Sequence, residues 1–340
     1  MTISFLTVLM MSSMILAAPL ASDAGEPMTL EAAKAVMAKE MESRPAPFVG
    51  QKAPELKVAG WVQGGPVSGF ASGEIYVVEM WATWCGPCIA VIPHLNTLHL
   101  QYQADKDHAV TFIGMNISDA RPDETAEQRV ERIERFIEDR DGAMTYAVAF
   151  EDGQLMGETW MEPAGQQGIP ASFIVDGDGR IAWVGHPSVI DEPLEQIVNG
   201  DHDLEEAKVA QVGQVVMNEA LNSIEGGGDV EAALRSLEAV TLTAFDNNPE
   251  MRAQIGYLVS QMEPAGETGR AWSLRIAQAA VELPGGQQAL PVAMLGHVME
   301  ANGDFKGAAE HMKKAVDLNE DEQLEQFFQD EAARLEAMAG

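Results

Sequence analysis

Cysteine is nearly absent from this 340-residue chain, which has only two. That is too few for a disulfide scaffold or a four-thiolate metal site. Basic residues are scarce too: 21 Lys and Arg stand against 53 Asp and Glu, a formal net charge of −32. Such a chain has no electrostatic route to nucleic acid, which selects for clustered Lys and Arg, or to an anionic membrane surface. The negative charge is spread over 45–202 and 203–340 alike, so it is no tail effect. Long apolar runs are missing except for Ile3 to Leu20, and no other stretch could span a bilayer. That run lacks the usual Lys or Arg in front. It is followed by small residues, Ala17-Ala18 and Ser22-Asp23-Ala24, that suit a signal-peptidase site. Residues 1–24 are therefore expected to be an export signal, with the mature protein outside the cytoplasm, periplasmic or secreted. No cysteine follows the run, which argues against a lipid anchor.

What remains is an ordinary globular composition, 46% apolar and 22% charged, at a length that predicts two domains. Thr29 caps a short helix reaching Ser43, with Leu30, Ala33, Met37 and Met41 on one stripe. Arg44-Pro45-Ala46-Pro47 ends it as a linker, so 25–45 reads as an N-terminal helix and linker. Leu56 to Val58 and Trp61-Val62 are short extended pieces split by Gly60. Ile75 to Trp81 is a strand buried on both faces, broken only by Glu79. A helix follows from Cys85 to about Gln103, then a strand at Val110 to Ile117. A charged helix spans 123–140 with Val130, Ile133 and Ile137 inward, and a strand runs from Thr145 to Phe150. Two more strands flank the turn Gly177-Asp178-Gly179 as an antiparallel hairpin. Strands alternating with helices and closed by a hairpin indicate an α/β mixed sheet over 46–200. Past Pro193 strand signals vanish, and 203–340 reads as helix after helix.

Both cysteines lie in Trp81-Ala82-Thr83-Trp84-Cys85-Gly86-Pro87-Cys88, directly after the buried strand and opening a helix. Two intervening residues let the thiols close a small disulfide ring. The helix start offers free N–H groups and partial positive charge, favouring a thiolate on Cys85. Cys88, one turn in, suits a resolving role. Zinc would need two further ligands, and the seven histidines are scattered; no metal or cofactor is expected. The alternative is a static bridge. Glu79 is a carboxylate in an apolar strand, costly unless it has a partner or a task. It is placed to exchange a proton with Cys88, or else sits at an edge and reaches water. Gly168-Ile169-Pro170 precedes the strand Ala171 to Asp176, where a proline suits a cis bond in a tight turn. Thr83 lies two residues before Cys85, not three, against a peroxiredoxin pattern. Spread-out methionines point to core packing over copper binding, and Asp176-Gly177-Asp178-Gly179 to a hairpin turn over a calcium loop.

Taken in this order, the features resemble the thioredoxin superfamily. The tract Trp81 to Cys88 is similar to its Trp-Cys-Gly-Pro-Cys signature, Glu79 to its buried acid, Pro93 to its helix kink, Ile169-Pro170 to its cis-proline loop and Gly185 to the glycine after its last strand. Gly50 to Leu56 and an insertion at about 119–165 resemble the exported TlpA/ResA-like disulfide reductases. The acid is Glu where Asp is usual, and Ile89-Ala90 stand where a basic residue is common. The resemblance implies a thioredoxin fold in which Cys85 attacks a substrate disulfide and Cys88 resolves the mixed disulfide. It implies that Ile169 before Pro170 offers its backbone to substrate. Trp84, Gly86 and Pro87 would line the substrate side, with Trp84 and Trp81 shielding the sulfurs. The implied partners are protein disulfides and an upstream thiol donor, with Gly86-Pro87 the dipeptide of strongly reducing members.

In the helical half, residues 293–318 resemble one tetratricopeptide repeat, with weaker echoes around Gly213 and Gly256. Helix 320–338 could cap the stack. An α/β thioredoxin fold with a C-terminal tetratricopeptide-like domain that binds a partner protein is the expectation. The other reading is a redox-regulated adaptor whose disulfide only switches partner binding.

Overall fold

The computed structural model describes residues 27–105, 110–140, 142–151 and 153–340. The expected export signal, 1–24, lies outside the described residues. The chain divides into two compact units, one of residues 46–211 and one combining 27–45 with 212–340.

The first unit is a six-stranded mixed sheet. Its strands are β1 (Val58–Gln63), β2 (Ile75–Trp81), β3 (Val110–Asn116), β4 (Ala147–Glu151), β5 (Ala171–Val175) and β6 (Ile181–Gly185), in the spatial order β1-β4-β3-β2-β5-β6. β2, β3 and β4 run parallel, while β1, β5 and β6 each pair antiparallel with their neighbours. The apolar run of β2 makes it central because both of its faces must be covered. Tyr76, Val78 and Met80 face a core with Ile113, Phe173 and Trp160. Val77 and Trp81 face the opposite core, which contains Ile92, Leu95, Ile133, Tyr146 and both cysteines.

Three helices belong to this sheet: α2 (Gly86–Ala104), α3 (Ala126–Glu138) and α4 (Asp191–Asn199). α3 opens with a reciprocal cap between Thr125 and Gln128 and buries Arg129 along with Ile133 and Ile137, a charge the apolar spacing does not reveal. Gly60 does not split the first strand. It lies inside β1 opposite Phe150, and register shifts on either side absorb the irregularity. β4 starts two residues later than expected, because Thr145 gives its N–H and its hydroxyl to the Asn96 side chain at 2.7 and 2.8 Å instead of to the ladder. The unit continues to Gln211, whose side chain accepts from the Val49 N–H at 2.8 Å and donates to the Ala164 carbonyl.

The second unit is helical: α1 (Leu30–Ser43), most of α5 (Leu204–Glu225), then α6 (Val230–Leu242), α7 (Pro249–Gln261), α8 (Gly266–Val281), α9 (Ala289–Ala301), α10 (Phe305–Leu318) and α11 (Glu322–Ala339). α1 belongs here because its stripe of Ala33 and Met37 is buried with Leu237, Val240 and Trp272. The helix–turn–helix expected over 293–318 is α9 and α10. Gly296 lets the two axes close, since a Cβ there would stand 3.2 Å from the Ala308 carbonyl oxygen.

Glu238 ties this unit to its first residues. Its carboxylate accepts from Arg275 at 2.6 and 2.9 Å, from the Met28 N–H at 2.8 Å and from the Trp272 indole at 3.3 Å. Burial works to raise its pKa, but these donors outweigh it and hold the group below the usual range. Glu238→Ala should lower the unfolding free energy of this unit by about 2 kcal/mol, because charged hydrogen bonds are lost while Arg275 can still rehydrate. Amide exchange of α1 should accelerate with it. Unchanged exchange in 30–43 would show that the apolar stripe alone holds this helix.

Candidate active site

β2 and β3 are parallel, so the segments leaving their carboxyl ends meet at one edge of the sheet. From β2 the chain passes through Ala82, Thr83 and Trp84 to Cys85, the N-cap of α2, with Gly86 and Pro87 in its first turn and Pro93 further along. Cys85 and Cys88 are joined as a disulfide, with Cα atoms 5.3 Å apart. The Cys88 N–H points at the Cys85 sulfur, 3.2 Å away, so the helix start directs a donor at this sulfur. Cys85 is 3% exposed and Cys88 fully buried; the first sulfur is the one nearer solvent. Across the edge, the Ile169–Pro170 bond is cis, and the Ile169 carbonyl oxygen lies 3.8 Å from Cys85 Sγ. Trp84 is 63% exposed, with its indole N–H donated to the Ser118 carbonyl at 3.0 Å. Trp81 is wholly buried, its ring 5.1 Å from that of Phe136. The sulfurs, Trp84, Gly86, Pro87 and the cis-proline loop thus come together.

Glu79 is in the sheet centre, not at an edge. It is 1% exposed and flanked by Gly114 on β3 and Ser172 on β5. Side chains alternate along a strand, so Glu79 shares the face of Val77 and Trp81, whose core includes Cys88. One carboxyl oxygen accepts from the Tyr146 hydroxyl at 3.0 Å, and the other has no hydrogen-bond partner among the described residues. Burial pushes its pKa up to about 8, with the Tyr146 bond pulling weakly the other way. At neutral pH this carboxyl is mostly protonated, a state that can lend or take back one proton near pH 8. Gly114 leaves room for the arrangement, because a Cβ there would press on Met144, Tyr146 and the Trp81 indole at 3.0–3.1 Å.

Two partners of the site carry no motif. Tyr146 precedes β4 and reaches Glu79 only through the order of the strands. Asp119 follows β3 and accepts from the Thr83 N–H at 3.0 Å and its hydroxyl at 3.1 Å. Asn116 and Arg132 in turn donate to Asp119, at 2.8 and 3.1 Å. Burial would raise the Asp119 pKa, yet these hydrogen bonds hold it below the usual range. The available signal was positional: parallel β2 and β3 oblige 117–119 to lie beside 82–85. Among the described residues no group of three or more His, Cys, Asp or Glu is arranged to hold a metal ion.

The family model described as Redoxin matches residues 48–201. The chain is 30% identical over 153 residues to Protein FixW of Rhizobium leguminosarum, covering 45% of this chain and 67% of that one. It is 28% identical over 149 residues to the thiol:disulfide interchange protein HelX of Rhodobacter capsulatus, covering 43% of this chain and 73% of the other. It is also 28% identical over 110 residues to the thiol-disulfide oxidoreductase ResA of Bacillus cereus, covering 32% and 53%. The Redoxin match spans both cysteines, the strand carrying Glu79 and the cis-proline loop, and the chain belongs to the redoxin family of thioredoxin-like thiol–disulfide oxidoreductases.

Proposed function

We propose that this chain is an exported reductase of protein disulfides, with Cys85 as attacking thiol, Cys88 as resolving thiol and Glu79 as proton acceptor. The observation that carries the reading is the paired cysteines opening α2 beside cis-Pro170, with a protonatable carboxyl buried on the face of Cys88. The reduced dithiol starts the cycle. The Cys85 thiolate attacks a substrate disulfide, forming an intermolecular S–S bond and expelling one substrate thiolate. The Glu79 carboxylate, the minority form at neutral pH of a group that titrates near pH 8, accepts the Cys88 proton as Cys88 attacks Cys85 Sγ, which releases the second substrate thiolate. Two electrons pass to the substrate, and the enzyme is left with the Cys85–Cys88 disulfide. A dithiol donor returns those electrons by the same exchange in reverse. Ile169, just before Pro170, offers its backbone to an extended substrate strand, and exposed Trp84, with Gly86 and Pro87, covers the sulfurs beside it.

Export rests on the segment 1–24, and the relatives' disulfide chemistry fits an oxidising compartment. For the helical unit the reading is a tetratricopeptide-like stack that recruits a protein partner. Its successive helix pairs support this, as does the lack of any metal-ligating cluster among its described residues.

Catalysed reduction of a generic protein disulfide by dithiothreitol tests the reductase reading, and absence of turnover would leave the adaptor alternative. The two thiols should also separate by trapping. Cys88→Ser keeps the attacker but cannot resolve, so it should accumulate mixed disulfides on a non-reducing gel. Cys85→Ser should accumulate almost none, and equal trapping would reverse or abolish the assignment.

Glu79 makes a further prediction through pH. Its pKa is raised from about 4.5 to about 8 in the folded protein, so the folded state keeps a proton that the unfolded state loses. Its contribution to stability is then full below the unfolded carboxyl range and falls as pH rises toward 8, at up to about 1.4 kcal/mol per pH unit. The stability of Glu79→Gln relative to wild type should therefore grow between pH 5 and pH 8 in urea melts. The same variant should exchange disulfides more slowly, because an amide cannot accept the proton. A stability difference that is flat with pH would mean that Glu79 is ionised in the folded protein.

A further inference from the structure

We propose that a groove beside the active-site loop binds the carboxylates of an acidic segment of the substrate polypeptide, next to its disulfide. The inference rests on the reductase reading above and names the substrate class it acts on. The groove holds about 510 Å³ and is lined by Thr83, Phe136 and four arginines, Arg121, Arg132, Arg135 and Arg140, with Asp139 its one acid. That volume is in the range of ligand sites.

Four guanidiniums in one groove run against the composition, since the chain has 21 basic residues to 53 acidic ones. One of the four is committed. Arg132 binds Asp119 and Glu124 at 3.1 and 2.7 Å and touches the Thr83 hydroxyl at 3.1 Å. The other three make no ion pair with any described carboxylate. Arg135 donates to the Glu131 carbonyl at 3.1 Å. Arg140 donates to the Phe136 carbonyl at 2.6 Å, and its guanidinium lies 3.4 Å over the Phe136 ring. These bonds leave most of each planar fork free, and the fork matches a carboxylate in two parallel hydrogen bonds. Stacking on Phe136 holds Arg140 in place before any ligand arrives.

Position links the groove to the chemistry. Thr83 is part of its wall and lies two residues before Cys85, next to exposed Trp84. An extended substrate advances about 3.3 Å per residue, so side chains a few residues from the attacked sulfur come over the groove. Elsewhere the net charge of −32 repels acidic chains, and the groove is where that repulsion is locally reversed.

The test has a binding arm and a turnover arm. A labelled, disulfide-free Glu-rich peptide is titrated into wild-type protein and into Arg135→Ala/Arg140→Ala, which changes one exposed and one half-buried position. Loss of two partly exposed charge pairs should weaken binding about tenfold. Equal binding, or none to wild type, overturns the groove. In the second arm, wild type should show a lower KM for a disulfide peptide flanked by Glu than for one flanked by Lys, and the double variant should lose that preference. A wild-type enzyme that reduces both peptides alike contradicts the groove but leaves the reductase reading standing. Failure to reduce even a small neutral disulfide overturns the reductase reading, while the binding arm still decides whether the groove takes carboxylates.

Discussion

A carboxyl group buried at the centre of a sheet, with one hydrogen bond, sets conditions on everything around it. Burying Glu79 ionised would cost several kcal/mol, so the group keeps its proton to about pH 8 instead. A carboxyl that titrates near pH 8 is matched as a base to a thiol that has to lose its proton. β2 supplies the proximity by aiming Glu79 at the core that also holds Cys88. Gly114 keeps the space open, and Tyr146 fixes one carboxyl oxygen. The same strand then delivers the chain to Cys85, so the position of the acid and that of the disulfide have one common origin.

The active-site loop is held from its other side by polar contacts that the disulfide does not provide. Asp119 accepts both hydrogen bonds that Thr83 donates, Arg132 and Asn116 secure Asp119, and Ser118 receives the indole of Trp84. Ser118 in turn donates its N–H to the Glu151 carboxylate at 2.7 Å. This chain of contacts positions Trp84 in the open while Cys85 sits almost covered beside it. None of these contacts uses either sulfur, so opening the disulfide does not remove them.

Much of this was legible in the sequence because it is local. The disulfide needs only a two-residue spacing at a helix start. Glu79 declares itself as a charge in an apolar run, and Pro170 stands at the mouth of a strand. The mixed sheet followed from the alternation of strands and helices. Tyr146, Asp119 and Arg132 were not legible, because their meeting with the site depends on which strands pair and in what register. The beginning of β4 was misplaced for a similar reason: Asn96, far away in sequence, takes the hydrogen bonds of Thr145. In the helical half, the stripe on α1 announced a buried face without saying against what. That face is covered by Leu237, Val240 and Trp272, and the Glu238 network adds a tie to the preceding Met28 N–H.

The account turns on the protonation of one buried carboxyl, and that can be observed directly. The oxidised protein, labelled with 13C at the glutamate carboxyl, can be titrated by NMR or infrared spectroscopy, with Glu79→Gln identifying the signal. A midpoint near pH 8 is predicted. A Glu79 signal that titrates near pH 4.5 would contradict the account, since the carboxylate would then be too weak a base to take the proton of a thiol that titrates at about pH 8.5.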